Sequence, residues 1–376
     1  MSALYIHIPF CKTKCAYCNF FSVAGKRDLS GFAEALMSEM ELRKDYLGAS
    51  EIATIYFGGG TPSLMTTEDI GKIIHKAKEL FNTASAMEIT LEANPEHINP
   101  ATIQNLYEAG VNRISIGVQS LNDTVLTWLG RSHNAQCALD AIESLRNGPV
   151  SEISVDLIFG VPGLTNEMLQ QELDYIISQD IPHISTYALT VEEKTPLKHY
   201  IEKGKCAAPN EEQAAEQYLI IMERMQAAGY EHYEISNFCL PGHPSHHNSS
   251  YWDGTHYLGI GPSAHSYDGV SRQWNVAGVD AYLQGLHSGN LSFEKEILTE
   301  TQHFNEYVMT AIRTSVGINL TLIENRFGKP SADAVRKGIE PMMTRGWILS
   351  DGQHVRLTIA GKLFADRIAS ELFREE

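Results

Sequence analysis

From its start to about residue 230 the chain repeats one pattern, a short β-branched run followed by an amphipathic helical stretch. That repetition limits the fold more than any other feature. Strand runs are read near 3–8 (ALYIHI), 53–57 (ATIYF), 87–92 (MEITLE), 113–118 (RISIGV), 152–158 (EISVDLI) and 183–189 (HISTYAL). Helical stretches follow near 29–47, 67–82, 100–109, 135–146, 165–178 and 211–228. Asn99 before Pro100, and Asn210 with Gln213 three residues on, are helix-start signals. Six βα units in series predict parallel strands joined by right-handed crossovers. A closed eight-unit barrel needs two more, so the expected fold is α/β, a partial (β/α)6 barrel.

After about residue 235 the rhythm breaks. Residues 237–275 are rich in Gly, Pro, His, Asn and Tyr and read as an ordered functional loop region. From about 297 the pattern is mainly helical, with a helix near 331–345, a hairpin turning at Asp351-Gly352 and a helix near 358–372. That order resembles a winged-helix module. Residues 317–376 hold 9 Lys/Arg against 8 Asp/Glu, so the wing is not basic and is read as structural. The expected organisation is a core barrel over 1–235, a connecting region over 236–296 and a C-terminal helical domain over 297–376.

A net charge of −17 argues against nucleic-acid binding, which needs a basic face. No apolar run is long enough for a membrane span, and the segment MSALYIHIPF lacks the form of a signal peptide. Six cysteines, at 11, 15, 18, 137, 206 and 239, make no disulfide framework. A reducing, cytoplasmic setting is expected.

Cys11, Cys15 and Cys18 follow the first strand directly. Three thiolates bind three irons of a 4Fe–4S cubane and leave the fourth iron open, as a reactive metal centre requires. A partial zinc site or three unrelated thiols is the alternative, but structural zinc wants four ligands and no fourth cysteine lies nearby. Cys137, Cys206 and Cys239 read as buried or spare thiols. No Cys-x-x-Cys-His occurs, which disfavours covalent heme attachment of the c type.

C-x3-C-x2-C after a first strand resembles the radical S-adenosylmethionine (SAM) superfamily, which implies a TIM-type partial barrel. SAM's amino and carboxylate groups would chelate the open iron, and electron transfer would release a 5′-deoxyadenosyl radical. Gly58-Gly59-Gly60-Thr61-Pro62 ends the second strand, where glycines would let backbone carbonyls approach a ligand closely. Other strand ends offer Glu92 for ribose hydroxyls and Arg131 for a carboxylate.

The motifs YIHIPFC, FGGGTP, EANP, SIGVQS, LGRSH and DLIFGVPG resemble the oxygen-independent coproporphyrinogen III dehydrogenase group over nearly the whole chain. By that resemblance Tyr5, Gly59 and Glu92 would serve a first SAM beside the cluster. Tyr17, Gly60, Thr61, Gln119, Arg131, Asp156 and Ala188 match positions that hold a second.

Two departures point instead to a sister group of heme chaperones. Phe20 stands where the dehydrogenases have a further cysteine, and the first cluster ligand is already residue 11, without their N-terminal extension. His247-Asn248-Ser249-Ser250-Tyr251-Trp252 fits H-N-x-x-Y-W, which resembles the heme-chaperone signature. His247 is then the candidate iron ligand, with His246 a competitor and Asn248, Tyr251 and Trp252 around the porphyrin. The alternative is a structural loop. Adjacent His232, His243, His256 and His265 match no standard zinc spacing. The expectation is a heme chaperone that binds heme, a 4Fe–4S cluster and SAM, and meets heme-acceptor proteins and an electron donor. Alternatives are the dehydrogenase itself, whose activity is not expected here, and a non-catalytic iron–sulfur redox protein.

Overall fold

The computed structural model describes residues 1–25 and 29–375. Strand β1 (Ser2–Ile8) is buried on both faces, as parallel strands covered by helices must be. A short parallel pair, β2 (Phe10–Cys11) and β3 (Val23–Ala24), brackets the cysteine loop. Five further βα steps follow: α1 (Phe32–Leu42), β4 (Ile52–Gly59), α2 (Thr67–Leu80), β5 (Thr83–Ala93), α3 (Pro100–Glu108), β6 (Arg113–Gln119), α4 (Asp123–Leu129), α5 (Ala135–Arg146), β7 (Glu152–Phe159), α6 (Asn166–Ser178) and β8 (His183–Ala188). Strands β1, β4, β5, β6, β7 and β8 pair in that order, all parallel. This is the expected partial (β/α)6 barrel.

The expected caps form. Asn99 Oδ1 accepts from the Thr102 amide at 3.0 Å and Asn210 Oδ1 from that of Gln213 at 2.9 Å. Helix α1 is shorter than the 29–47 read from sequence. Gly31, at φ 78, turns the chain ahead of it, and at the other end Arg43 leaves the helix buried. Helices α4 and α7 (Pro196–Glu202) span only two turns each, too short for a periodic signal.

The reading of 237–275 as a loop region is corrected. After α8 (Glu211–Ala227), strands β9 (Glu231–Glu234) and β10 (Asn237–Cys239) extend the sheet antiparallel beyond β8. Helix α9 (His246–Trp252) then leads to β11 (His256–Ile260), which pairs parallel with β1 on the edge opposite β4. Strands β12 (His265–Tyr267), β13 (Ser271–Asn275) and, past α10 (Val279–His287), β14 (Phe293–Ile297) complete a twelve-stranded sheet running from β14 to β9. Among the described residues its two edge strands do not pair, so the barrel stays open.

Residues from 300 onward have their own apolar core around Phe304, Val308, Ile312, Ile323 and Val355. They form α11 (Glu300–Ile312), β15 (Ile318–Asn319), α12 (Leu320–Phe327), α13 (Lys329–Thr344), β16 (Ile348–Ser350), β17 (His354–Leu357), α14 (Ile359–Lys362) and α15 (Ala365–Glu371). The order β15-β17-β16 gives a small wing sheet. The helix expected over 358–372 is broken at Leu363-Phe364, where the Phe364 ring stacks on Trp347 at 4.4 Å.

One buried carboxylate pins the added strands to the barrel. Glu39 of α1 is 0% exposed and accepts from the Gly261 amide (2.7 Å), Asn275 Nδ2 (2.7 Å), Tyr282 OH (2.6 Å) and Arg43 Nη1 (3.2 Å). Arg43 in turn donates to Gly259 O at 3.0 Å and Ser266 Oγ at 3.1 Å. Removing one partner of such a buried pair leaves the other charge uncompensated. Glu39→Ala is therefore expected to cost about 3–5 kcal/mol in chemical denaturation. A loss below about 1 kcal/mol would show that the network does not hold the extension.

Candidate functional site: a cysteine-lined cavity and the helix behind it

Cys11, Cys15 and Cys18 carry free thiols and line a cavity of about 580 Å³ at the C-terminal ends of the parallel strands. That end is where barrel folds gather their chemistry. The loop is held by Gly25 N to Cys11 O (3.1 Å), Cys18 N to Cys15 O (3.3 Å) and Leu197 N to Ala16 O (2.9 Å), so α7 braces it from outside. Thr61 Oγ1 lies 3.6 Å from Cys11 Sγ, and Arg131 Nη1 lies 3.6 Å from Cys15 Sγ. Burial pushes the Cys18 thiol up. Among the described residues no three His, Cys, Asp or Glu side chains converge on a single metal ion. The thiols instead ring a space.

Each strand end contributes one wall. Glu92 of β5 accepts from Tyr56 OH at 2.8 Å and from the Gly59 amide at 3.2 Å. Asp156 of β7 accepts from Ser115 Oγ at 3.2 Å. Burial raises both acids, Glu92 to about 7 and Asp156 to about 6, and the Asp156 charge raises Glu92's value further. Arg131 Nη2 reaches Asn94 Oδ1 at 2.9 Å and Gly117 O at 2.8 Å. Gln119 holds a left-handed φ of 68, a costly conformation for a residue with a side chain. Among the described residues its Oε1 and Arg131 Nε are buried without a hydrogen-bond partner. Two orphaned polar atoms, three free thiols and two buried acids on one cavity fit a polar ligand bound beside a metal cluster.

Tyr17, Gly59, Gly60, Thr61, Glu92, Gln119, Arg131, Asp156 and Ala188 all line this cavity, as does Asn248. Tyr5 is not among the lining residues. Its hydroxyl turns to His7 Nδ1 at 3.0 Å and its ring stacks on Tyr56 at 6.2 Å, so it stands behind the wall. The glycines at Gly59 and Gly60 also have a packing reason. A Cβ on Gly60 would lie 2.7 Å from Phe10 O and 2.9 Å from Ile8 O, and one on Gly59 2.5 Å from the His7 ring. The space they free is filled by the end of β1 and the start of the cysteine loop. Sequence reading missed Tyr56, Asn94, Ser115 and Tyr187. Asn94 sits in the EANP motif and carried a signal; the other three are ordinary strand residues.

Helix α9 lies behind the cavity. Ser245 Oγ caps it by accepting from the Asn248 amide at 3.2 Å, while Glu88 accepts from the amides of His246 (3.0 Å) and His247 (2.9 Å). His247 is 1% exposed. Its Nδ1 bonds Thr54 Oγ1 at 2.8 Å and its Nε2 bonds Tyr251 OH at 3.0 Å. Its ring stacks on Tyr56 at 4.7 Å, and burial lowers its pKa to about 3. Neither ring nitrogen is available to an iron in this arrangement. His246 is exposed. Tyr251 and Trp252, at the C-terminal end of α9, line a second cavity of about 240 Å³.

The open barrel and its cysteine-lined mouth are those of a radical SAM fold. A model of the Radical SAM superfamily matches residues 5–176, and one of the HemN C-terminal domain matches residues 298–364. Among curated relatives, the heme chaperone HemW of Mycobacterium tuberculosis (strain ATCC 25618 / H37Rv) is 35% identical over 98% of this chain and 94% of its own length. That of Bacillus subtilis (strain 168) is 33% identical over 98% of each. The chain belongs to the HemW heme-chaperone family. Among solved structures, the coproporphyrinogen III oxidase HemN of Escherichia coli shares the fold at TM-score 0.83 and 22% identity, covering 99% of this chain and 89% of its own.

The buried acids make a titration prediction. Glu92's value of about 7 lies above the roughly 4.3 of an unfolded chain, so ionisation favours unfolding. Stability contributed at this residue falls as pH rises from about 4 to about 7 and is flat beyond. Glu92→Gln, measured on cofactor-free protein, is expected to gain ~1–3 kcal/mol at pH 8 and nothing at pH 4. Equal effects at both pH values would contradict the burial of the charge.

Proposed function

We propose that the chain is a heme chaperone that holds a 4Fe–4S cluster on Cys11, Cys15 and Cys18, binds SAM in the same cavity and passes heme to acceptor proteins. The observation that carries this reading is the position of α9. Asn248 of the HNxxYW segment faces the cysteine cavity, while Tyr251 and Trp252 face the second one. One short helix thus borders both sites, its first turn the proposed cluster cavity and its C-terminal end an aromatic-walled cavity. The names of the relatives support the same reading.

Three thiolates leave one iron of a cubane open, and when bound the cluster supplies one-electron chemistry. The chain's own residues do the rest. Thr61 and Arg131 donate toward thiolate sulfurs and so stabilise their charge. Glu92 offers its carboxylate to ribose hydroxyls, which would compete with Tyr56. Gln119 Oε1 and Arg131 Nε would gain the partners they lack, and Tyr17 presents its ring to the adenine. His247 positions α9 by tying it to Thr54 and Tyr251.

The second cavity, at about 240 Å³, falls short of the roughly 300–1,000 Å³ that encloses a drug-sized ligand. It would take an edge of a porphyrin and leave the rest exposed, which suits a cargo that must be handed on. A reducing compartment and an external electron donor complete the proposal. No described helix is long and apolar enough to cross a membrane.

The test is anaerobic reconstitution followed by titration with hemin, and separately by incubation with SAM, reductant and coproporphyrinogen III. Stoichiometric heme retention without multiple turnover of coproporphyrinogen is expected. Repeated formation of protoporphyrinogen would overturn the chaperone reading in favour of a dehydrogenase.

A further inference from the structure

The second cavity lies between α9 and the C-terminal module, and its far wall has what α9 lacks. Helix α11 turns His303, Glu306, Tyr307 and Thr310 into it, positions that share one helical face. Tyr257 of β11 and Tyr267 of β12 close the side next to Tyr251 and Trp252. Among the described residues Trp252 Nε1 is buried without a hydrogen-bond partner. Arg272 of β13 and Arg326 of α12 stand at the same cavity. Arg272 pairs with Glu306 at 3.0 Å, whereas among the described residues no carboxylate pairs with Arg326.

The two imidazoles differ in the property that matters for a metal. Both nitrogens of His247 are bonded within the protein. Among the described residues nothing hydrogen-bonds the His303 ring, which is half-buried on the cavity wall. Burial and the two guanidinium groups lower the His303 pKa, which keeps the ring neutral, the form that binds iron.

We propose that His303 supplies the axial imidazole for heme iron in this cavity, with Arg326 receiving a propionate and the tyrosine and Trp252 rings lining the porphyrin edge. This rests on the heme-chaperone reading. It makes the heme site a shared one: α9 gives an aromatic wall, and the C-terminal module gives the ligand. The bond formed is from a ring-nitrogen lone pair to the iron; no covalent bond breaks.

The experiment compares full-length wild type with His303→Gln, His247→Ala and Arg326→Gln, using hemin, hemin dimethyl ester and iron-free protoporphyrin IX. Absorption and EPR spectra report the axial ligand. His303→Gln is expected to lose the imidazole-ligated spectrum and at least tenfold in hemin affinity, with affinity for iron-free protoporphyrin unchanged. Added imidazole should restore the spectrum. His247→Ala should keep the imidazole-ligated spectrum. Arg326→Gln should weaken hemin several-fold and leave its dimethyl ester unaffected. An imidazole spectrum lost in His247→Ala but kept in His303→Gln would overturn the assignment while leaving the heme-chaperone reading intact. Wild type that binds no hemin would remove that reading as well.

Discussion

The pairing of β1 with β11 is the contact on which the functional architecture depends. Ser2 to Ile6 run beside His256 to Ile260 in parallel register, so segments some 250 residues apart become neighbours. Because β1 also pairs with β4, its C-terminal end delivers the cysteine loop to the cavity mouth while its other edge draws in α9. Closing so long a loop costs entropy that local contacts cannot offset. The Glu39 network does, by tying α1 to Gly261, Asn275 and Tyr282 around the added strands. Cluster loop and HNxxYW helix are thereby set on one rigid frame.

That frame assigns His247 a place inside it. Thr54 of β4 holds one nitrogen and Tyr251 the other, while Tyr56 packs on the ring face and bonds Glu92. A change at Glu92 is therefore separated from Tyr251 by two aromatic residues in contact. Fully satisfied networks of this kind rigidify a core and specify one arrangement. The cysteine cavity, by contrast, keeps orphaned polar atoms at Gln119 and Arg131. Both of those atoms lie on residues that line the cavity, where a bound ligand would satisfy them.

Much of the barrel was legible because parallel strands buried on both faces read as runs, and Asn99 and Asn210 announce their helices. The seventh parallel strand was not. HYLGI is short, carries two polar-tipped rings and a glycine, and lies in a segment whose composition signals loops. Gly259 is needed there because a Cβ would lie 2.0 Å from His265 O, a constraint only the partner strand reveals. The cavity-lining set was largely readable from strand ends, but Tyr5 faces His7, behind the wall, which depends on side-chain packing rather than on position. His303 carries no motif at all. Its interest arises from the docking of α11 against α9, and nothing in the sequence places those helices together.

The central claim is that α9 borders both a cluster site and a heme site. The most direct measurement is an anaerobic crystal structure of the reconstituted, heme-loaded protein with iron located by anomalous scattering. Two separate iron positions are predicted: one among Cys11, Cys15 and Cys18, the other beside Tyr251 and Trp252 at the C-terminal end of α9. Heme iron within the cysteine cavity, or on a surface remote from α9, would contradict it.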